Sequence, residues 1–197
     1  MPVAKRPADV FLNIPFADSH EFLYLALIAG LAALRLNPRC VLEIPPQQSR
    51  LQRLYQLIAS CPYSIHDLSH VRLSSTGHRV PRFNMPFELG IAVAVALAEQ
   101  GPKAHQFRIL EARQYRLQQS LSDVLGWDPY IHRACADGVL EALLDAFPNL
   151  PEAPDLTELR GLFKDLRRFR NERLGTNIYT PRAFSTLVVA ARKLVEA

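Results

Sequence analysis

A glutamate close behind a proline is the strongest chemical signal in this chain: residues 82–90 read RFNMPFELG, with Glu88 two positions after Pro86. Pro86 disfavours helical geometry at Met85 and suits the first position of a helix, so the spacing predicts a helix over 86–99 with Glu88 near its third residue. A carboxylate in the first turn faces the positive end of the helix dipole, which favours its ionised form by roughly 0.3–1 kcal/mol. That suits a nucleophile or an electrostatic stabiliser better than a proton donor. The same placement also serves helix stability alone, because acidic residues are common in first turns.

Other polar residues fall near predicted strand ends, where open parallel sheets bind their ligands. Asn13, Pro15, Phe16 and Asp18 follow the first strand, Glu43 ends the second, and His66, Asp67 and Ser69 end the third. Asp128 and His132 belong to the fifth, and Arg82, Phe83 and Asn84 precede the Glu88 helix. Asp67 is suited to proton transfer, though capping its own loop through backbone amides is the more usual role of an aspartate there. The rings of Phe16 and Phe83 are suited to stacking on a planar ligand or to packing in a core. Arg82 can grip a phosphate through two parallel hydrogen bonds or lie solvated in its loop. His66 and His70 stand at a strand end and share no helix face, so they do not have the arrangement of zinc ligands. Neither a GxGxxG turn nor a P-loop occurs, which leaves no standard dinucleotide or triphosphate cradle. The sequence implies no metal.

To hold these residues together, the chain alternates β-like and helix-like runs, the pattern of a parallel sheet covered by helices. Strands are predicted over 9–14, 39–44, 63–68, 106–110 and 128–132. Helices are predicted over 21–36, 49–60, 86–99, 138–147 and, after the fourth strand, up to Leu125, closing at Gly126. Asn37 and Pro38 stop the first helix. The apolar runs 22–34 and 91–98 are expected to be helices buried in the core. The fold class expected is a three-layer α/β/α sandwich with a five-stranded parallel flavodoxin-like sheet, order 2-1-3-4-5, and a C-terminal helical appendage. Residues 1–147 would form the α/β unit and 148–154 (PNLPEAP) a semi-rigid spacer. The extension, 155–197, would carry helices over 156–173 and 181–196. The first of these sets Leu159, Leu162, Phe163, Leu166 and Phe169 opposite Arg160, Lys164, Arg167 and Arg168, an amphipathic pattern suited to packing on one side and solvent or a partner on the other.

At 197 residues, with 49% hydrophobic and 21% charged, the chain has the balance of a folded protein with a full core, which excludes disordered and disulfide-scaffold classes. A net charge of +4 from interleaved acids and bases argues against nucleic acid as the partner. Cys40, Cys61 and Cys135 are too far apart for a metal or redox pair, and their odd number fits a reducing, cytoplasmic setting. Both apolar runs fall short of the ~20 residues that span a bilayer, so no membrane association is expected.

The segments FLNIPF (11–16), HDLS (66–69) and NMPFELGIAVA (84–94) together resemble the nucleoside 2-deoxyribosyltransferase-like group and its relatives among TIR-like domains. Phe87, Glu88, Leu89, Gly90 and Ala92 match the helix start that carries the nucleophilic glutamate of the deoxyribosyltransferases, and Pro15 and Phe16 match their first loop. RFNMPFELG together with SDVLGWDPYIH (122–132) is similar to a set of bacterial TIR-like proteins. The resemblance covers about 9–147. It implies cleavage or transfer at an N-glycosidic bond of a nucleoside, nucleotide or NAD-like substrate, with Glu88 attacking C1′ or steadying the cation there. Asp67 would hold ribose hydroxyls or protonate the base. Asn13, Asp18, His66, Ser69, Asn84 and Asp128 would line the site, with Phe16 and Phe83 about the base. No cofactor is implied, since NAD or a nucleotide would enter as substrate. Arg82 stands where the deoxyribosyltransferases have an aspartate, a departure from deoxynucleoside exchange toward a phosphate-bearing substrate. The alternative is a non-catalytic TIR-like module that binds a nucleotide or self-assembles, and a homo-oligomer remains open under either reading.

Overall fold

The computed structural model describes residues 7–44, 49–70, 83–99, 101, 104–124, 126–150 and 153–196. Five parallel strands lie in the order β2-β1-β3-β4-β5. They are β1 (Asp9–Asn13), β2 (Asn37–Cys40), β3 (Tyr63–Asp67), β4 (Gln106–Glu111) and β5 (Tyr130–Ile131). Helices α1 (Glu21–Ala33), α2 (Arg50–Ser60), α3 (Asn84–Ala98), α4 (Arg116–Ser120) and α5 (Ala136–Ala146) connect and follow them, and α6 (Leu156–Arg173) and α7 (Pro181–Glu196) end the chain. This is the three-layer α/β/α sandwich with flavodoxin-like strand order that the alternating pattern predicts.

The two-residue side-chain period of a strand sorts β1 between two cores. Val10 and Leu12 join the cluster of α1, α5, α6 and α7, while Phe11 faces Leu54, Leu57, Ile58, Ala92 and Val95 of α2 and α3. Helix α1 is buried continuously from Leu23 to Ala32, because the sheet lies on one side of it and α5, α6 and α7 on others. Its uniform hydrophobicity is that of a helix enclosed on all sides. At the α1–α5 crossing a Cβ on Gly30 would come within 2.4 Å of Leu143, so glycine there sets the depth of the contact. The extension 155–197 shares this core: Leu159, Leu166, Phe184, Leu187 and Ala191 all belong to the α1 cluster.

Several boundaries differ from the sequence expectation. Arg35 takes a left-handed φ of 56° and Leu36 N–H returns to the Leu31 carbonyl, so α1 ends at Ala33 and not at 36. The second strand begins at Asn37 and already contains Pro38. As an edge strand paired to β1 alone, β2 tolerates a residue with no N–H to donate. Val41–Glu43, expected as strand, instead wind into a 3-10 turn in which the Glu43 carboxyl accepts from the Cys40 N–H at 2.9 Å. Helix α4 stops at Ser120, and β5 is only Tyr130–Ile131. The run 91–98 was expected to be buried. In α3 only Glu88, Leu89, Ala92 and Val95 are, because the helix lies over β1, β3 and β4 with its other face outward.

Candidate functional site

Glu88 lies at the fifth residue of α3, not the third. Phe83 caps the helix and Asn84 begins it two residues before Pro86, which still occupies the first turn, where no intrahelical N–H is required. The expected dipole stabilisation of an ionised Glu88 therefore fails: the side chain is two residues further in, past the first turn, and only 7% exposed. Burial raises its pKa from 4.5 to about 7, and the Arg50 guanidinium partly opposes that rise. Its carboxyl accepts no hydrogen bond from any described residue that would fix it in place.

Around it is a crevice of about 160 Å³, walled by Leu12, Ile14, Pro15 and Phe16 after β1, by Val41 and Arg50, and by His70, Asn84 and Met85. Its volume is below the roughly 300–1,000 Å³ of pockets that enclose drug-sized ligands, so it suits one sugar-sized group with the remainder of a ligand at the mouth. Of the residues expected to line a site, the structure brings together Pro15, Phe16, Asn84 and Glu88. Asn13 lies just beneath: its amide donates to the Met85 carbonyl at 2.8 Å and to His66 Nδ1 at 2.9 Å, tying the end of β1 to the start of α3. Its Oδ1 is buried without a hydrogen-bond partner among the described residues.

His66 is below the sheet surface and not in the crevice wall. Its Nε2–H donates to Ser64 Oγ at 2.9 Å, Ser64 donates to His105 Nε2 at 2.8 Å, and His105 Nδ1–H donates to the Cys61 carbonyl at 2.8 Å. One proton order satisfies the whole relay with both imidazoles neutral. Burial, with His105 as a second cause, accordingly lowers the His66 pKa to about 3, and burial also lowers that of His105.

Asp67 is fully buried and engaged on both oxygens. Oδ1 accepts from Ser69 N–H at 3.1 Å and Ser69 Oγ at 2.6 Å, and Oδ2 accepts from His132 Nε2 at 2.9 Å. The Ala134 N–H donates to His132 Nδ1 at 3.1 Å, which leaves the imidazole proton on Nε2, facing Asp67. Next to this pair, Arg116 bridges the buried Glu111 carboxyl and the Ser69 carbonyl. Asp67 and Ser69 therefore form a structural knot joining β3, β4 and β5, and neither lines the crevice. Gly138 belongs to the same knot, since a Cβ there would lie 2.0 Å from the His132 carbonyl oxygen.

The remaining expected residues are dispersed. Asp18 is exposed on a 3-10 turn, and Phe83 projects into solvent. Asp128 precedes β5 and faces a different groove, of about 430 Å³, with Leu97, Phe107 and Trp127. Arg82 lies outside the described residues. A wider groove of about 600 Å³ between Ala33, Gly161 and Leu194 has no buried ionisable side chain and stands at the far end of α1 from the crevice. Among the described residues, no three His, Cys, Asp or Glu side chains cluster to hold a metal, and no helix is long and apolar enough to cross a membrane.

Sequence reasoning missed Arg50, which begins α2 and faces Glu88, and it missed the C-terminal support of the first loop. Tyr179 donates to the Ala17 carbonyl at 2.8 Å, and its ring lies 5.8 Å from Phe16 and 5.4 Å from Tyr24. An isolated arginine after a proline-rich stretch and a tyrosine 160 residues from the loop carry no local signal of either role. The chain matches no protein-family model and no curated protein.

Proposed function

We propose that this protein cleaves or transfers at the N-glycosidic bond of a nucleoside, nucleotide or NAD-like substrate, with Glu88 as the nucleophile at C1′. The observation that carries this reading is the buried carboxyl of Glu88, held at the wall of a sugar-sized crevice without a hydrogen-bond partner among the described residues. A carboxylate largely withdrawn from water is raised in energy in the resting site and gains most when positive charge develops beside it. Stabilisation therefore grows toward an oxocarbenium-like transition state, the condition for catalysis. As the C1′–O bond to Glu88 forms, the C1′–N bond breaks and its electron pair leaves with the base; an uncharged nucleoside base takes a proton from water, whereas the nicotinamide of NAD leaves already neutral. Attack on C1′ by water, or by the nitrogen of another base, then expels the Glu88 carboxylate and closes the cycle.

Phe16 and Pro15 would form the wall against which the sugar is held, and Asn84 is within reach of a hydroxyl. Arg50 would keep enough of Glu88 ionised near neutral pH and meet an anionic substituent at the mouth. The test is chromatographic: wild type and Glu88→Gln are incubated with NAD, nucleotides and nucleosides, and free base or nicotinamide is measured. Release by wild type and at least a thousandfold less by Glu88→Gln is the expected result. Equal release by both proteins, or ligand binding without release by wild type, would overturn the reading, the latter in favour of a binding module.

A further inference from the structure

The outward face of α3 is a second feature of this fold and independent of the crevice. Phe83, Phe87, Gly90, Ala94 and Leu97 follow one another at intervals of four, three, four and three residues, so they lie in one stripe along the helix. All five are exposed, with Phe83 67%, Phe87 55% and Leu97 72% in water. Leu97 continues into Trp127, 40% exposed, across the groove they share. No charged side chain lies in the stripe, and the one charge on α3, Glu88, is on the buried side.

The size of this surface is itself informative. With aromatic side chains of about 150–250 Å² each, Phe83, Phe87, Leu97 and Trp127 leave roughly 450 Å² of apolar surface in water. That is within the range of the largest patch on a typical monomer, about 300–600 Å², and patches of that kind mark binding faces. Gly90 adds a separate argument. A Cβ there would meet nothing within 4 Å, so no contact inside the chain requires glycine, although glycine weakens a helix interior relative to alanine.

We propose that this stripe is the interface of a twofold homodimer, with α3 of one protomer antiparallel to α3 of its partner. An axis passing between Gly90 and Ala94 sets small residue against small residue and lets the two backbones approach closely. The same axis sets Phe87 of each copy against Leu97 of the other, so the stripe is complementary to itself. Two copies would withdraw roughly 1,000 Å² from water once the small residues are included, the lower bound of a specific interface. Along α3 a charged partner finds no counter-charge, Arg108 and Asp128 lying only at the groove beyond Leu97, whereas a second copy meets apolar surface with apolar surface.

Sedimentation of the full chain from low micromolar to about 200 µM, above the Kd that such an area sustains, tests the proposal. Wild type is expected to pass from 22.2 kDa to twice that mass. Ala94→Arg and Leu97→Glu, each on an exposed position, should remain folded by circular dichroism yet associate at least tenfold more weakly. Val189→Glu, on the exposed face of α7, should associate as wild type does. A wild type monomeric throughout overturns the proposal, as does a dimer that survives both α3 substitutions or one that Val189→Glu disrupts equally. None of these readouts depends on turnover, so the failure of the glycosidic reading would leave the dimer standing, and the reverse.

Discussion

Burial acts on Glu88 and His66 in opposite senses. The folded pKa of Glu88 is about 7 against 4.5 ordinarily, so between those values the native state holds more proton than the unfolded chain, and stability falls as pH rises. Glu88→Gln removes that dependence. It should be more stable than wild type above pH 7, by on the order of 3 kcal/mol, with the difference vanishing toward pH 4 in urea titrations. A wild type as stable as the variant at pH 8 would mean that water reaches the carboxyl. His66 runs the other way. With its folded pKa lowered to about 3, the unfolded chain binds more proton below 6.5, and stability is lost as pH falls from there toward 3. Its ring resonances should show no titration between pH 8 and pH 4, and a midpoint near 6 would disprove the neutral relay through Ser64 and His105. In catalysis, a nucleophilic Glu88 requires kcat/KM to rise with pH through about 7. A falling limb there would make it a proton donor instead.

At the scale of elements, the parts of the fold readable from sequence are those whose pattern is complete within one segment. Helices α6 and α7 begin and end where their own periodicity and caps predict, Asp155 capping α6 and Pro181 opening α7. Strand β3 and the start of α1 are as readable for the same reason. What was not readable depends on neighbours. Pro38 stands in a strand because β2 is an edge, and Glu88 falls two residues deeper because the chain turns helical at Asn84, where the Asn13 amide holds the Met85 carbonyl. At the crevice, Pro15, Phe16, Asn84 and Glu88 come together as their two short motifs suggest. The capping of its own loop by Asp67 was legible, with Ser69 N–H on Oδ1, but its second partner was not, because His132 lies 65 residues away. The support of Phe16 by Tyr179 is equally long in range, and it carries a prediction. Tyr179→Phe keeps the ring and loses one hydrogen bond, about 1 kcal/mol in denaturation, with little change in activity. Tyr179→Ala also removes the surface against which Phe16 rests, and should raise KM more than it lowers kcat if that ring positions the sugar.

The whole molecule turns on α1. Ten consecutive residues, Leu23 to Ala32, are buried, and the surface that buries them comes from opposite ends of the chain: the sheet and α5 on one hand, α6 and α7 on the other. Arg170 pairs with Glu21 at the head of α1 at 2.9 Å, and Tyr24 donates to the Ile178 carbonyl at 3.4 Å. A chain ending at 150 would leave the outer side of α1 in water and take away Leu159, Leu166, Phe184 and Leu187, each of which stabilises by about 2–5 kcal/mol when judged by truncation to alanine. The summed loss, about 8–20 kcal/mol, is as large as the 5–15 kcal/mol by which a domain is ordinarily stable. The fragment 1–150 should therefore fail to fold alone, giving no cooperative thermal transition and binding dyes that report exposed apolar surface. Supplying 153–197 as a separate chain should restore a transition if the shared core is what it lacks. A fragment that melts cooperatively by itself would make the two C-terminal helices a true appendage, and would leave the continuous burial of α1 without its present explanation.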